Sequence, residues 1–259
     1  MSDKPPEQVL KLIYDILPQV RVTLVKGSPK EGTYTKTTIT DYMVATVYLR
    51  CRSLFEGVIT LVDNNLAEEA CIVGRSLLED SLKLYHIYKS PEDRRLEYFA
   101  HLIKVSTNNN KNLLLSLMKG RPEDVIEKVK TRIQDNENRL TEFKKLHKIK
   151  KNKNLPNATN LVGMYMKDDK YAFDLSNIMT HGSSVSQIFR TIESGEGDLF
   201  KVDIYTKYDH PLLKLVILHI SMIAILKAHI AASKLLNWRD ISDPVVLINK
   251  INNITDEDV

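Results

Sequence analysis

The phrase Arg-Ser-Leu-x-Glu occurs twice in this chain, as Arg52-Ser53-Leu54-Phe55-Glu56 and as Arg75-Ser76-Leu77-Leu78-Glu79. Each copy sets an Arg and a Glu four residues apart, which on a helix puts both on one face. The flanks repeat as well. Tyr48, Leu49, Phe55 and Ile59 around the first copy correspond to Cys71, Ile72, Leu78 and Leu82 around the second. The spacing predicts two similar helices, each with an ion pair set among apolar neighbours. Asp63-Asn64-Asn65 between them is a turn sequence, so the two should fold back as an antiparallel hairpin. With the reversal at Asn64, Arg52 falls level with Ser76 and Leu49 with Glu79. Arg52, Glu56, Arg75 and Glu79 then occupy neighbouring layers and can share one network, with His86 about two turns beyond Glu79 on the same stripe.

The rest of the chain favours helices too. Only nine Gly and nine Pro punctuate 259 residues, and 43% of the side chains are hydrophobic. Sparse breakers and an ample supply of core residues argue for long helices over many short strands. Residues 7–25 read as an amphipathic helix that Pro18 should kink or end early. Thr37, Thr38 and Thr40 compete to cap the first hairpin helix, which runs to Val62, and Asp41 suits its first turn. The second hairpin helix covers 66–88. Ser90-Pro91-Glu92-Asp93 opens a fourth helix to Met118, with Ser as cap and Pro in the first turn. Arg121-Pro122-Glu123-Asp124 opens a fifth, highly charged helix to His147. Residues 148–160 form a polar connection. A sixth helix is expected over 171–191, and a short extended piece over 199–205. A strongly apolar helix covers 212–236, and a short one covers 243–251. The fold class expected is all-α: a single-domain bundle of about seven helices around the antiparallel hairpin. Residues 1–37 supply an N-terminal helix and loop, 38–236 the bundle core, and 237–259 a C-terminal helix and tail.

Several function classes are excluded or weakened by what is missing. The segment 212–236 is interrupted by Lys214, His219, Lys227 and His229, and no uncharged run in it reaches the ~18 residues of a membrane span, so a buried core helix is expected. Cys51 and Cys71 fall within helical patterns and read as buried thiols. With no apolar signal core at the N-terminus, they point to a cytoplasmic protein. The net charge of +4, from 37 basic and 33 acidic side chains, does not by itself argue for nucleic acid. No zinc spacing, glycine-rich phosphate loop, paired Glu-x-x-His or Gly-x-Ser-x-Gly elbow occurs. No metal and no cofactor are expected. The run Lys144-Lys145-Leu146-His147-Lys148-Ile149-Lys150-Lys151-Asn152-Lys153 suits either nucleic-acid phosphates or a solvated helix end facing the negative pole of its dipole. It lacks the interleaved aromatics of a surface that stacks single-stranded bases.

The charged hairpin has two readings. Buried ion pairs can fix register and contribute nothing else. Alternatively, Arg75, held by Glu79, can bind an anion or phosphate, for which the planar guanidinium is suited. A second polar constellation lies at Tyr171-Ala172-Phe173-Asp174-Leu175-Ser176-Asn177-Ile178-Met179-Thr180-His181-Gly182. On a helix Asp174, Asn177 and His181 share one face, and a carboxylate on a His face can orient the imidazole.

The phrase 75–79 in a central helix, followed by Tyr171-x4-Ser176-x4-His181-Gly182-Ser183, resembles a family of bacterial all-helical domains of unknown function. The resemblance covers roughly residues 38–236. In style the chain is also similar to HEPN (higher eukaryotes and prokaryotes nucleotide-binding) domains, many of which are metal-independent ribonucleases. The HEPN signature, Arg followed by His after four to six residues, has a counterpart in Arg95-x5-His101. Leu96 replaces the polar residue common after the Arg, and six helical steps leave the two side chains about 120° apart. The resemblance implies an RNA-directed effector of defence or toxin type. In it His181 would be general acid or base, Arg75 would hold phosphate and Glu79 would orient Arg75, with Tyr171, Ser176, Arg52 and Glu56 contacting substrate. The partners it implies are RNA, a second copy of the chain and an unidentified protein, with no membrane. The alternative is a non-catalytic binding or assembly protein whose Arg/Glu network is structural.

Overall fold

The fold is all-α. The computed structural model describes residues 5–26, 38–118, 120–150, 153–167, 170, 174, 191–193, 200–202, 211–238 and 244–256. Among these are eight helices: α1 (Pro6–Lys26), α2 (Ile39–Asp63), α3 (Ala67–Lys89), α4 (Glu92–Leu117), α5 (Glu123–Leu146), α6 (Ala158–Tyr165), α7 (Pro211–Leu235) and α8 (Pro244–Asp256). Two three-residue strands, β1 (Thr191–Glu193) and β2 (Phe200–Val202), pair antiparallel, with Ile192 opposite Lys201. The chain divides into two compact units, residues 1–88 with 157–259, and residues 89–156.

In the larger unit the organising element is α7. Almost every residue from Leu213 to Ser233 is buried, His219 and His229 included. A helix apolar all round must be covered all round. Helices α1, α2 and α8 pack against it. By length and composition α7 could cross a membrane, yet 89% of its most apolar window is buried inside the protein, which is how a core helix behaves. Helix α3 also comes close, at Gly74: a Cβ there would collide with the Ile217 side chain and meet Ser221 Oγ at 3.4 Å. Helix α1 runs unbroken past Pro18. The buried stripe Val9, Ile13, Ile16, Leu17, Val20 and Leu24 outweighs the one backbone hydrogen bond a proline removes.

Helices α2 and α3 run antiparallel. Arg50 Nε lies 3.1 Å from Asp80 Oδ2, and Val73 Cγ1 lies 3.6 Å from a Cβ placed on Gly57. The register is two residues away from the expected one, because the chain reverses about Asn65 and not Asn64. Thr38 caps α2 in a reciprocal box with Asp41, as the sequence suggests. At its other end the Leu66 amide donates to the Leu61 carbonyl and the Asn65 amide to Val62, with Asn65 left-handed at φ 59°. This is a Schellman ending, in which Asn is the best substitute for glycine. The buried Lys214 ammonium then donates to Asn65 Oδ1 at 2.6 Å, tying the turn to α7. The same ending closes α7: the Trp238 amide donates to the Ser233 carbonyl across left-handed Asn237, which turns the indole back towards the bundle.

In the smaller unit α4 and α5 pack together, joined through Lys111 Nζ and Glu137 Oε1 at 2.8 Å. Its buried residues include Tyr98, Phe99, Ala100, Ile103, Ile133 and Phe143. Pro91, not Ser90, occupies the cap position of α4 and makes no side-chain cap bond. Arg95 Nε donates to the Ser90 carbonyl instead. Helix α6 was not anticipated: residues 158–160, assigned to a polar connection, begin it, and Asn157 caps it by accepting from the Asn160 amide.

Asn65→Ala loses both the tolerance for a left-handed backbone and the bond from Lys214. It should lower unfolding free energy by about 1–3 kcal/mol, read from the midpoint of urea denaturation. Asn65→Gly, which keeps the backbone preference, should recover part of that loss.

Candidate functional site

The repeated Arg/Glu phrase does not fold into one four-charge network of equal depth. Glu56 sits at the surface, its side chain 52% exposed, and both its oxygens are held by Arg21 of α1: Nη2 to Oε2 at 2.6 Å and Nε to Oε1 at 3.2 Å. The expectation that Glu56 lies in apolar surroundings is therefore corrected. On α2 it is Phe55, Val58 and Ile59 that turn inward. Arg52, one turn earlier, is half-buried and close enough to His229 for its charge to act on that ring.

The α3 copy behaves differently. Arg75 Nε lies 3.4 Å from Glu79 Oε1, and Lys83 Nζ lies 3.6 Å from Glu79 Oε2. The three side chains are 24%, 30% and 31% exposed. They form a ladder along one edge of the helix, neither sealed nor fully wet, with one carboxylate holding a cation on each side. His86 lies further along α3. Its Nδ1 is 2.8 Å from the Tyr165 hydroxyl on α6, and the Tyr85 ring meets Tyr165 edge-on. Lys227 of α7 lies over the Tyr85 ring, and burial lowers the His86 pKa. Tyr171, Ser176 and His181 lie outside the described residues. Of that helix face only Asp174 is described, and it is helical and exposed.

Two arrangements escape the sequence reading. One is Arg50 with Asp80, where burial raises the carboxyl pKa against the opposing pull of Arg50. The other is a buried aromatic corner. The Tyr48 hydroxyl lies 2.7 Å from His229 Nδ1, and the Trp238 ring packs edge-on against Tyr48 and tilted against His229. Burial first, and then the charge of Arg52, push the His229 pKa down to about 4. The available signal was His229 in the middle of an apolar helix, a polar group that needs a partner. That the partner is Tyr48, 181 residues away, is not legible in a linear pattern.

Arg95 and His101 both lie on α4, and the Arg95 Nε bond to the Ser90 carbonyl gives that guanidinium a structural task at the start of the helix. The basic run begins in the last turn of α5 with Lys144 and Lys145 and continues past the helix end. Cys51 and Cys71 are unbridged and buried, and burial pushes both thiols up to about 12, which disfavours the thiolate that nucleophilic chemistry needs. Among the described residues no group of His, Cys, Asp or Glu could hold a metal ion.

Residues 41–198 match DUF5677, a family of unknown function. The chain belongs to this family. The matched span takes in both copies of the Arg/Glu phrase and the Tyr171–His181 segment. No curated protein and no solved structure matches the chain. DUF5677 membership thus fixes the kinship of the ladder-bearing helix α3 and assigns it no activity.

The His229 ring is neutral in the fold, with a pKa well below the 6.5 of an unfolded chain. Stability contributed by this depressed group is fully present above pH ~6.5 and is lost as pH falls towards ~4, by about 3 kcal/mol in all. The melting temperature should fall through that window in the wild type. It should fall less in Tyr48→Phe/His229→Leu, which removes the titrating ring and its partner together.

Proposed function

We propose that this member of DUF5677 is an RNA-directed effector of HEPN-like type that cleaves RNA without a metal. Arg75 holds the scissile phosphate, Glu79 orients Arg75, and His181 is the general acid or base, with Tyr171 and Ser176 lining the site. The observation that supports this reading most is the half-open Arg75–Glu79–Lys83 ladder. Glu79 lies against Arg75 Nε, and a planar guanidinium fork is the group best matched to a phosphate. Exposure of about a quarter is what a substrate-facing cation needs and a sealed register-fixing pair does not. Further support is the order of the motif, an Arg-x-x-x-Glu helix followed by a Tyr/Ser/His segment within one matched family. Glu56, turned outward to Arg21, has no part in this reading.

In the chemistry this implies, a base removes the ribose 2′-hydroxyl proton and the 2′-oxygen attacks phosphorus. The bond to the 5′-oxygen then breaks as that oxygen takes up a proton, leaving a cyclic phosphate. Arg75 stabilises the charge that builds on the phosphoryl oxygens.

The test is cleavage of a mixed pool of tRNA and total RNA in EDTA by purified wild type, His181→Ala and Arg75→Ala. Wild-type cleavage should fall at least about a hundredfold in either variant, the usual scale for a lost acid–base or charge-stabilising group. Arg75→Ala should stay folded, because a half-exposed pair of this kind contributes only about 1 kcal/mol. No cleavage by any of the three, all folded, would overturn the nuclease reading in favour of an assembly role. That alternative has its own support, since Arg75 and Lys83 already occupy both oxygens of Glu79.

A further inference from the structure

Charge is divided unequally between the two compact units. Residues 89–156 carry 17 Lys and Arg against 9 Asp and Glu, a net +8. The whole chain carries 37 against 33, so the larger unit has 20 against 24 and is net −4. The mild overall charge hides this segregation.

Within the smaller unit the charges are also sorted along the helices. Glu92 and Asp93 open α4, and Glu123 and Asp124 open α5, where acids suit the positive end of the dipole. The cations gather at the far end of α5. Lys144 and Lys145 occupy its last turn, and the helix dipole accounts for those two. It does not account for Lys148, Lys150 and Lys153, which lie past the end of the helix and are exposed. The chain leaves α5 through a third Schellman turn, with the Ile149 amide donating to the Lys144 carbonyl and Lys148 left-handed at φ 52°. That conformation favours glycine, and here it is held by a lysine. The turn sets Lys148 and Lys150 close behind Lys144 and Lys145. The rings of Tyr98, Phe99 and Phe143 in this unit are buried, and the exposed His147 imidazole packs against Phe143.

We infer that the 89–156 unit is the RNA-gripping arm of the protein. Lys144, Lys145, Lys148 and Lys150 contact the phosphate backbone without stacking on bases. The choice of RNA as the polyanion rests on the function proposed above, whereas the charge segregation stands by itself. With no exposed Tyr, Phe or Trp, and with the His147 ring taken up against Phe143, the unit has no row of rings on which successive bases of a single strand could stack. It therefore binds duplex RNA at least as well as single-stranded RNA, independently of sequence, and with steep salt dependence.

The experiment measures fluorescence anisotropy of a labelled RNA duplex and of its single strand across a KCl series, with the full chain. Wild type is compared with Lys144→Gln/Lys145→Gln/Lys148→Gln/Lys150→Gln and with Lys11→Gln/Lys234→Gln/Lys250→Gln, a control in the acidic unit. The fourfold variant should bind both RNAs at least about tenfold more weakly, with the slope of log Kobs against log[KCl] shallower by roughly three to four. The control should match wild type. Circular dichroism melting confirms that each variant is folded. If the fourfold variant misfolds, the pair Lys148→Gln/Lys150→Gln, both outside α5, replaces it with a slope change of roughly two.

A fourfold variant that binds like wild type overturns the inference, and so does a wild type that prefers the single strand. Binding to phosphatidylserine vesicles but not to RNA overturns it in favour of a membrane surface. Binding through these lysines without cleavage leaves the arm standing and removes the nuclease. Cleavage with unchanged binding by the fourfold variant does the reverse.

Discussion

The larger unit depends on the complete burial of α7. From Leu213 to Ser233 this helix offers no polar face, so no single partner can cover it. Burying a leucine or isoleucine contributes roughly 1.5–3 kcal/mol relative to exposure, and α7 carries many such residues on every side. Helices α1, α2 and α8 line up against it for that reason. Gly74 lets α3 approach as well, since any side chain there would have to displace Ile217.

Burial of this kind makes polar groups on α7 expensive unless each is met. Lys214 is met by Asn65 Oδ1 and His229 by the Tyr48 hydroxyl. One bond lies just past the C-terminal end of α2 and the other near its middle, and together they fix its register on α7, because a one-residue slip would strand both. The Schellman endings at Asn65 and Asn237 contribute to the same end. One brings an amide oxygen to Lys214, and the other folds Trp238 onto the Tyr48–His229 pair. The core is thus specified by a few hydrogen bonds within a largely non-directional apolar contact. The ladder on α3 and the cations at the end of α5 take no part in those bonds.

Much of this was legible in the sequence, and for identifiable reasons. Long helices follow from scarce Gly and Pro and from apolar periodicity. The Thr38–Asp41 box and the Asp63–Asn65 turn follow from local chemistry within four residues. Helix 212–236 as a core element follows from its apolar run with Lys and His interruptions, and the DUF5677 match over 41–198 agrees with a resemblance read over roughly 38–236. The hairpin register missed by two residues because the left-handed position, Asn65, is chosen by backbone hydrogen bonds and by Lys214, not by the composition of the turn. Glu56 was misplaced because identical phrases on two helices need not face identical surroundings: α2 presents that position to α1 at the surface, whereas α3 keeps Glu79 half-covered.

What the sequence alone determined is local: which segments are helical, where they start and stop, and that one of them must be buried. Those outcomes depend on residues a few positions apart, whose interactions survive any global arrangement. Only the tertiary structure decided which charges pair and how deeply they lie: Arg21 with Glu56, Arg50 with Asp80, Tyr48 with His229. It also decided that residues 89–156 form a unit of their own, which divides a nearly neutral chain into a basic unit and an acidic one. Pairing and depth depend on contacts between residues far apart in the chain. A pattern of spacings cannot encode these, because they are set by how several helices share one apolar partner.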